Sequence, residues 1–390
     1  MPAVRGLRRT SCLAVALLAF SAIWETAGAG DWSLRTNLTE TLSFNDNIGF
    51  VVDPDGDAFG AFSKIGLTSR YVSDVDDFVL GGSLGYQSYF GVSNDIPGNR
   101  LMPSLNTSYM RKGKSADFSI GASLVYQPAS QNTGLEIPDA QPSGDIVTLS
   151  ANSSVAYKVD ARNTLSLAAR ASKVDFVDKA ATDVPFKSLG STLTWQRKQT
   201  KRVDFNVTSG LDWYDYDDAV NRERYYYVLR GGTAARLSNR MSVTGNLGGT
   251  LSSTLSDAPN GDSSSLGALA DAGFTYALKD GALAGAVSYG LTPDDAGVFS
   301  NSLNFSASIT HRVNDLTNLR LGGQFQLSDS SEDGTLANAS ASISPSLTYT
   351  LARDWTLTAS YQFAWKDDEA GAAIQNSVFL TVSRDYVLIP

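Results

Sequence analysis

Arg224, Arg230 and Arg236 stand six residues apart in the stretch 224–237. Successive side chains of a β-strand point to opposite faces, so an even spacing puts all three guanidinium groups on one face. A guanidinium group donates two parallel hydrogen bonds to a carboxylate, such as that of a uronic acid. If the stretch is a strand, the three arginines predict a face that attracts anionic solutes.

Other predicted strands carry basic side chains on the same, more polar face. The candidate pore-lining basic residues are Arg35, Arg70, Lys158, Arg170, Arg224, Arg230, Arg236 and Arg320. Further basic residues on this face are Lys64, Lys198, Arg312 and Lys366, and the acidic residues are fewer: Asp117, Asp204, Asp212 and Asp271. Basic rings in a pore favour anions. The alternative is that these residues lie at the rim, at lipid headgroups, or in salt bridges that brace the wall.

Candidate catalytic residues are scarce. Outer-membrane hydrolases that use a catalytic triad need a histidine with serine or aspartate partners. This chain has one histidine, His311, which falls on the apolar side of its strand beside a turn at Asn314-Asp315, as expected at a membrane interface. A single cysteine, Cys12, leaves no disulfide or thiolate metal site. We predict no catalytic residue, metal site or cofactor, and we do not expect an enzyme.

The segments that hold the basic residues alternate with a period of two. In WSLRTNLTETLSF (32–44) the even positions are mostly apolar and every odd position is polar, which is typical of a strand whose two faces meet different surroundings. Eighteen such segments follow one another without a linker. Their predicted spans are 32–44, 59–72, 77–91, 101–111, 116–127, 145–159, 163–176, 186–198, 202–214, 224–237, 240–253, 264–278, 282–291, 300–312, 317–328, 335–351, 354–366 and 374–386.

The gaps between these segments alternate between long and short. Long gaps, such as Pro128–Gly144 and Asp367–Ala373, alternate with short ones, such as Ser238–Asn239. Outer-membrane barrels show this order, with tight periplasmic turns, longer outer loops and both termini in the periplasm. A soluble all-β fold has no reason to alternate in this way.

We therefore predict an all-β fold: a single transmembrane antiparallel up-and-down β-barrel over residues 30–390, with about 18 strands in a range of about 16 to 18. Aromatic residues on the apolar face, among them Trp32, Trp195, Trp213 and Trp355, fall near predicted strand ends, as at membrane interfaces. A soluble sandwich is the alternative, but it would need several domains to enclose the strands. Closing one sheet satisfies the backbone in lipid.

The first 29 residues are predicted to be a cleaved signal peptide. Arg5, Arg8 and Arg9 precede the short apolar run Leu13–Trp24, and Ala27-Gly28-Ala29 fits a signal peptidase site. Removing three Arg and one Glu from 31 basic and 40 acidic residues leaves a net charge of −11. Much of this charge lies in predicted loops.

The stretch LTETLSFNDNIGF (Leu38–Phe50) resembles the first strand of a family of outer-membrane barrel porins that accompany bacterial exopolysaccharide synthesis and export. The layout of a signal followed by about eighteen strands is similar over the whole mature chain. The resemblance implies an outer-membrane barrel beside such an export system, and it assigns no functional residue. Outer-membrane barrels usually end in an aromatic residue on the last strand. In this chain the last aromatic residue, Tyr386, is followed by a short tail to Pro390.

These observations predict a porin-like channel in the bacterial outer membrane for passive passage of polar, including anionic, solutes or an exported polysaccharide. The alternative is a non-conducting structural or adhesive barrel with a plugged lumen. The expected partners are outer-membrane lipid and lipopolysaccharide, the outer-membrane assembly machinery and polysaccharide export components. No nucleic-acid partner is expected.

Overall fold

The computed structural model describes residues 30–47, 50, 52, 56–90, 99–128, 145–177, 184–257, 261–293, 299–329, 337–368 and 371–389. The predicted signal peptide and most of the Pro128–Gly144 connection lie outside these residues. The strands are β1 Asp31–Asn45, β2 Ala58–Val72, β3 Asp76–Phe90, β4 Asn99–Lys112, β5 Ala116–Pro128, β6 Asp145–Lys158, β7 Asn163–Val177, β8 Phe186–Lys198, β9 Val203–Tyr216, β10 Glu223–Arg236, β11 Met241–Leu255, β12 Ser263–Leu278, β13 Gly281–Pro293, β14 Phe299–Arg312, β15 Thr317–Asp329, β16 Ala337–Ala352, β17 Trp355–Asp368 and β18 Gly371–Ile389.

The strands form one closed sheet. Each pairs antiparallel with its neighbours in sequence, and β1 pairs with both β2 and β18. The predicted all-β, eighteen-strand up-and-down barrel is confirmed. Closure gives each strand a partner on both sides, which a spanning sheet needs because lipid offers no hydrogen bonds.

Proline in a strand is tolerated only where the ladder does not need its N–H. Pro103 breaks the pattern of the predicted segment 101–111, yet β4 runs through it. The ladder between β4 and β5 starts at Ser104 and Val125, so Pro103 lies just beyond it. Pro345 lies at an interruption of the ladder between β16 and β17.

The two ends of the barrel differ. The turn end carries the eight short connections that follow the even-numbered strands from β2 to β16, together with Asp31 and Ile389. The loop end carries the other nine connections. The longest spans 129–144, but β17 ends at Asp368 and β18 starts at Gly371, so the predicted long gap at Asp367–Ala373 is short.

Short turns close through side-chain caps. Asp160 accepts hydrogen bonds from the side chain of Asn163 (2.7 Å) and from the backbone N–H groups of Arg162 (2.7 Å) and Asn163 (2.8 Å). These bonds, first that from the Asn163 side chain, lower the pKa of Asp160 because they stabilise its charged form.

The apolar positions face outward. Leu247, in the middle of β11, is 72% exposed. Leu42 and Leu266, in the loop halves of β1 and β12, are 62 and 83% exposed. The inward parity is rich in hydroxyl pairs such as Ser83–Ser104, Ser119–Ser154 and Thr348–Thr358, with oxygens 2.7 to 3.1 Å apart. The apolar face is therefore the one that meets lipid, and the polar face lines a lumen. Among the described residues, no helix is long and apolar enough to cross a membrane.

We predict that Leu247→Lys, in the middle of the lipid-facing side of β11, destabilises the barrel by about 2–4 kcal/mol, because it places an ammonium group in hydrocarbon. Thr244→Lys on the same strand faces the lumen and should cost little. Urea unfolding of the refolded protein in lipid vesicles, followed by tryptophan fluorescence, measures both. Equal losses would contradict the assignment of faces.

Candidate functional site

The lumen is the candidate site, and all eight predicted basic residues lie on its parity. The cross-strand register gives their neighbours on this face: Arg170 lies opposite Asn152 and Gly190, and Arg230 lies opposite Thr208 and Gly248. Two further inward bases, Arg100 and Lys112, and the inward acids Asp31, Asp77 and Asp385 were not predicted. Strict alternation along their strands was the signal that would have found them.

Four of the eight basic residues are neutralised by inward carboxylates. Arg70 and Arg170 make two-pronged pairs with Asp77 and Asp212, with N···O distances of 2.6 to 3.0 Å. Lys158 Nζ is 3.0 Å from Asp117 Oδ2, and Arg230 Nη1 is 3.7 Å from Asp271 Oδ1. For these four residues the geometry matches the alternative given by the sequence, in which basic residues form salt bridges that brace the wall.

The Arg170–Asp212 pair depends on a glycine. A Cβ on Gly190 would lie 2.0 Å from Asp212 Oδ1 and 2.8 Å from Arg170 Nε, so only glycine leaves room between strands β7 and β9. The Asp212 side chain is 10% exposed, whereas that of Arg170 is 62% exposed. The pair therefore anchors a lumen arginine on a nearly buried carboxylate.

Arg35, Arg236 and Arg320 make no ion pair within the described part of the chain. Arg236 lies at the turn end of β10, and Arg35 lies near the turn end of β1. Arg320 lies opposite Thr310 and Ser346, on the wall of a cavity of about 810 Å³. The other polar side chains around this cavity are hydroxyls and amides, among them Thr244, Thr275, Ser306, Gln324, Ser342, Thr358 and Gln362, and the apolar side chains are Phe274, Ala284, Ala286, Ala307 and Pro345. Arg320 is thus a cation in a wall of neutral hydrogen-bonding groups.

Arg224 is buried at the loop end. It is 4% exposed, and its guanidinium group lies 5.9 Å from the centre of the Tyr216 ring. Arg222 lies over the same ring at 5.6 Å, and Tyr216 stacks on Tyr214 with centroids 6.3 Å apart. The predicted line of Arg224, Arg230 and Arg236 along β10 exists, but its members differ: one is buried, one is paired and one lies at the turn end.

The connection 217–222 holds this aromatic and basic cluster in place. Asp218 binds the Arg222 side chain and accepts a hydrogen bond from the Arg222 backbone N–H at 3.1 Å. Burial raises the pKa of Asp218, but the Arg222 hydrogen bonds outweigh burial, and the pKa lies below its usual value. The Asn221 side chain, whose backbone has φ of 45°, donates to Asp257 at 2.8 Å.

A constriction narrows the loop half of the lumen. The ladder between β12 and β13 stops at Ala270 and Tyr289, while β13 stays paired with β14 up to Pro293, so the last residues of β13 part from β12. Leu291 is 4% exposed and packs on Tyr226 of β10, whose hydroxyl donates to the Leu291 carbonyl at 2.8 Å. A residue three strands away thus contacts β10 across the inside of the barrel.

Two other residues that the sequence singled out, His311 and Lys366, lie away from this cavity wall and constriction. His311 is exposed on the outward face beside the turn 313–316, opposite Gly281 and Leu319. Lys366 is buried at the loop end, 5.5 Å from the centre of the Phe50 ring. Among the described residues, no group of three His, Cys, Asp or Glu side chains is placed to hold a metal ion.

Three solved structures share this architecture at low sequence identity. They are a BenF-like porin from Pseudomonas fluorescens Pf-5 (TM-score 0.51, 11% identity, 92% of this chain and 99% of that chain) and two Acinetobacter baumannii proteins, OccAB3 (0.50, 11%, 91% and 100%) and OccAB4 (0.50, 10%, 91% and 98%). The likeness shows the fold. No protein-family model and no curated protein matches the chain. Nothing in these comparisons links it to exopolysaccharide export.

We predict that Gly190→Ala breaks the Arg170–Asp212 pair, because its Cβ would occupy the position of the carboxylate. The loss of a charge-assisted pair should destabilise the barrel by roughly 1–3 kcal/mol. Gly210→Ala is the matched control: it also faces the lumen, but its Cβ would meet nothing closer than 3.6 Å. Thermal unfolding of both refolded variants measures the difference, and equal stability of the two would contradict the role given to Gly190.

Proposed function

We propose that the chain is an outer-membrane porin that passes small polar solutes passively and favours anions. The loop end faces outward and both termini lie in the periplasm. The order of eight short turns and nine other connections supports this orientation, because outer-membrane barrels have it. The fold shared with a protein described as a porin is consistent with it.

The observation that carries the proposal is Arg320. A paired arginine presents little net field to a passing solute, since its carboxylate cancels the charge. Arg320 has no such partner among the described residues and stands in a hydroxyl-lined cavity. A cation so placed lowers the free energy of an anion in the lumen by about 1 kcal/mol at a separation of about 4 Å in water-like surroundings.

The wall from β15 through β18 and β1 to β2 extends this field. Lys64, near the middle of β2, faces Thr39 and Gly85 and also has no ion pair within the described residues. The described carboxylates on the inward parity of this wall, Asp31 and Asp385, both lie near the turn end, and Asp385 accepts a hydrogen bond from Asn37 at 2.7 Å. Three of the four compensated pairs lie on the opposite wall, on strands β5 to β12, and the Arg70–Asp77 pair lies where the two walls meet, at the turn end of β2 and β3.

The proposed solutes are small molecules with a carboxylate and several hydroxyls, such as uronic acids. Their carboxylate suits Arg320, and their hydroxyls suit the serine and threonine wall. An exported acidic polysaccharide carries the same carboxylates and hydroxyls along a polymer, so the same wall suits its passage. It would need an extended chain to pass the constriction at Tyr226.

We expect Arg320→Gln to reduce uptake of galacturonate about fivefold relative to neutral galactose in a liposome-swelling assay, as follows from about 1 kcal/mol of lost attraction. Lys158→Gln combined with Asp117→Asn removes a compensated pair without changing the net charge of the lumen and should have little effect. Equal effects of the two variants would contradict a specific role for Arg320.

The second candidate function is a structural or adhesive barrel whose lumen is closed. The Tyr226–Leu291 contact favours it, because this contact fills part of the loop half of the lumen. The cavity beside Arg320 is lined by strands β11 to β17 in the turn half of the barrel, whereas the contact lies in the loop half, so the contact does not fill this cavity. We therefore place the closed barrel second.

Tyr226→Ala should raise the single-channel conductance in planar bilayers, because it removes the ring and hydroxyl that meet Leu291. Tyr227→Ala changes the neighbouring outward tyrosine and should leave the conductance unchanged. A barrel that is folded and closed to ions both with and without Tyr226 would favour the structural function.

A further inference from the structure

A row of four charged side chains crosses the outward face near the loop end. The cross-strand partners run Leu149, Lys173, Lys187, Asp215, Glu223 and Leu255, on strands β6 to β11. Lys173 and Lys187 are therefore direct partners, and so are Asp215 and Glu223. Like charges opposite each other in a sheet are destabilising, so their placement side by side requires a cause.

The row lies at the edge of the apolar band. Trp213 and Tyr225 lie on the same strands as Asp215 and Glu223, two residues closer to the turn end, and they are cross-strand partners. Trp213 is eight residues from Phe205, which lies near the turn end of β9. With strands tilted by about 40°, this separation is roughly 20 Å along the barrel axis. The apolar band of such barrels is about 25 Å tall between its aromatic girdles, so the charged row falls at headgroup level.

The two lysines are only weakly committed to protein partners. Lys173 Nζ lies 2.5 Å from Asp175 on its own strand, and Lys187 Nζ lies 3.5 Å from Asp215. Their side chains are 49 and 61% exposed, and exposed ion pairs contribute little. Each ammonium group has three N–H donors. One phosphate between the two strands can therefore accept hydrogen bonds from both lysines.

We propose that Lys173 and Lys187 bind a phosphate of the phosphorylated lipid that forms the outer leaflet. The proposal rests on the orientation given under the proposed function, which puts the loop end outside. The neighbouring Asp215 and Glu223 carry the opposite charge at the same level, where divalent cations lie between the phosphates of such lipids. The row then complements both ions of the headgroup layer: phosphate at the lysines and cation at the acids.

The position of the row separates this site from the channel. Lys173 and Lys187 have outward parity with the exposed Leu149 and Leu189, whereas the solute route uses the opposite parity. A solute in the lumen does not meet these lysines.

The test is binding of lipid A to the refolded mature protein in detergent, followed by native mass spectrometry and by the thermal unfolding midpoint. The double variant Lys173→Gln with Lys187→Gln should weaken binding of bisphosphorylated lipid A at least tenfold. The matched control, Lys114→Gln with Lys279→Gln, removes the same charge from turns at the other end and should bind as the unchanged protein does.

Dephosphorylated lipid A should bind the unchanged protein more weakly than the bisphosphorylated form, and inorganic phosphate at the same concentration should not stabilise it. Equal binding by the lysine variant, by both lipids, or by inorganic phosphate would overturn the proposal. Conductance of the same preparation is measured separately. A protein that conducts without binding lipid A overturns only this site, and one that binds without conducting overturns only the channel.

Discussion

The whole molecule depends on backbone hydrogen bonding without water. In hydrocarbon, an unpaired N–H or carbonyl group costs several kcal/mol, so a sheet that spans the membrane must close on itself. The pairing of β1 with both β18 and β2 meets this requirement. Where the ladder is interrupted, the sequence places residues that tolerate the interruption, as at Pro103 and Pro345.

Closure also decides where the chemistry lies. Because side chains alternate strictly, one parity meets lipid and the other meets the lumen, and a single slip would exchange them. The lumen parity divides into two walls. One carries pairs such as Arg170–Asp212, made possible by Gly190, and the other carries Arg320 among serines and threonines. The selectivity that we propose arises from this asymmetry rather than from the number of basic residues.

The period of two in the sequence was sufficient to predict the strands, the closed barrel and the parity of all eight basic residues. It could not predict their partners. Arg170 and Asp212 are 42 residues apart, and which carboxylate reaches which base depends on the register between strands. The sequence showed both on the inward parity, so a pair was permitted but not determined.

The constriction had no sequence signal of its own. Leu291 belongs to the outward parity of β13, and it turns inward only because the ladder with β12 stops at Tyr289. The parting of β13 from β12 is a tertiary event that periodicity does not record. Arg224 is a similar case, since its burial depends on Tyr216 and on the connection 217–222, whereas its spacing to Arg230 suggested an open line of bases.

The most direct test of the central claim is the reversal potential of the refolded mature protein in a planar bilayer with a tenfold potassium chloride gradient. An uncompensated cation in a hydrated lumen predicts discrete conductance steps and a reversal potential of the sign set by chloride. A reversal potential set by potassium, or a folded barrel that never conducts, would contradict the account.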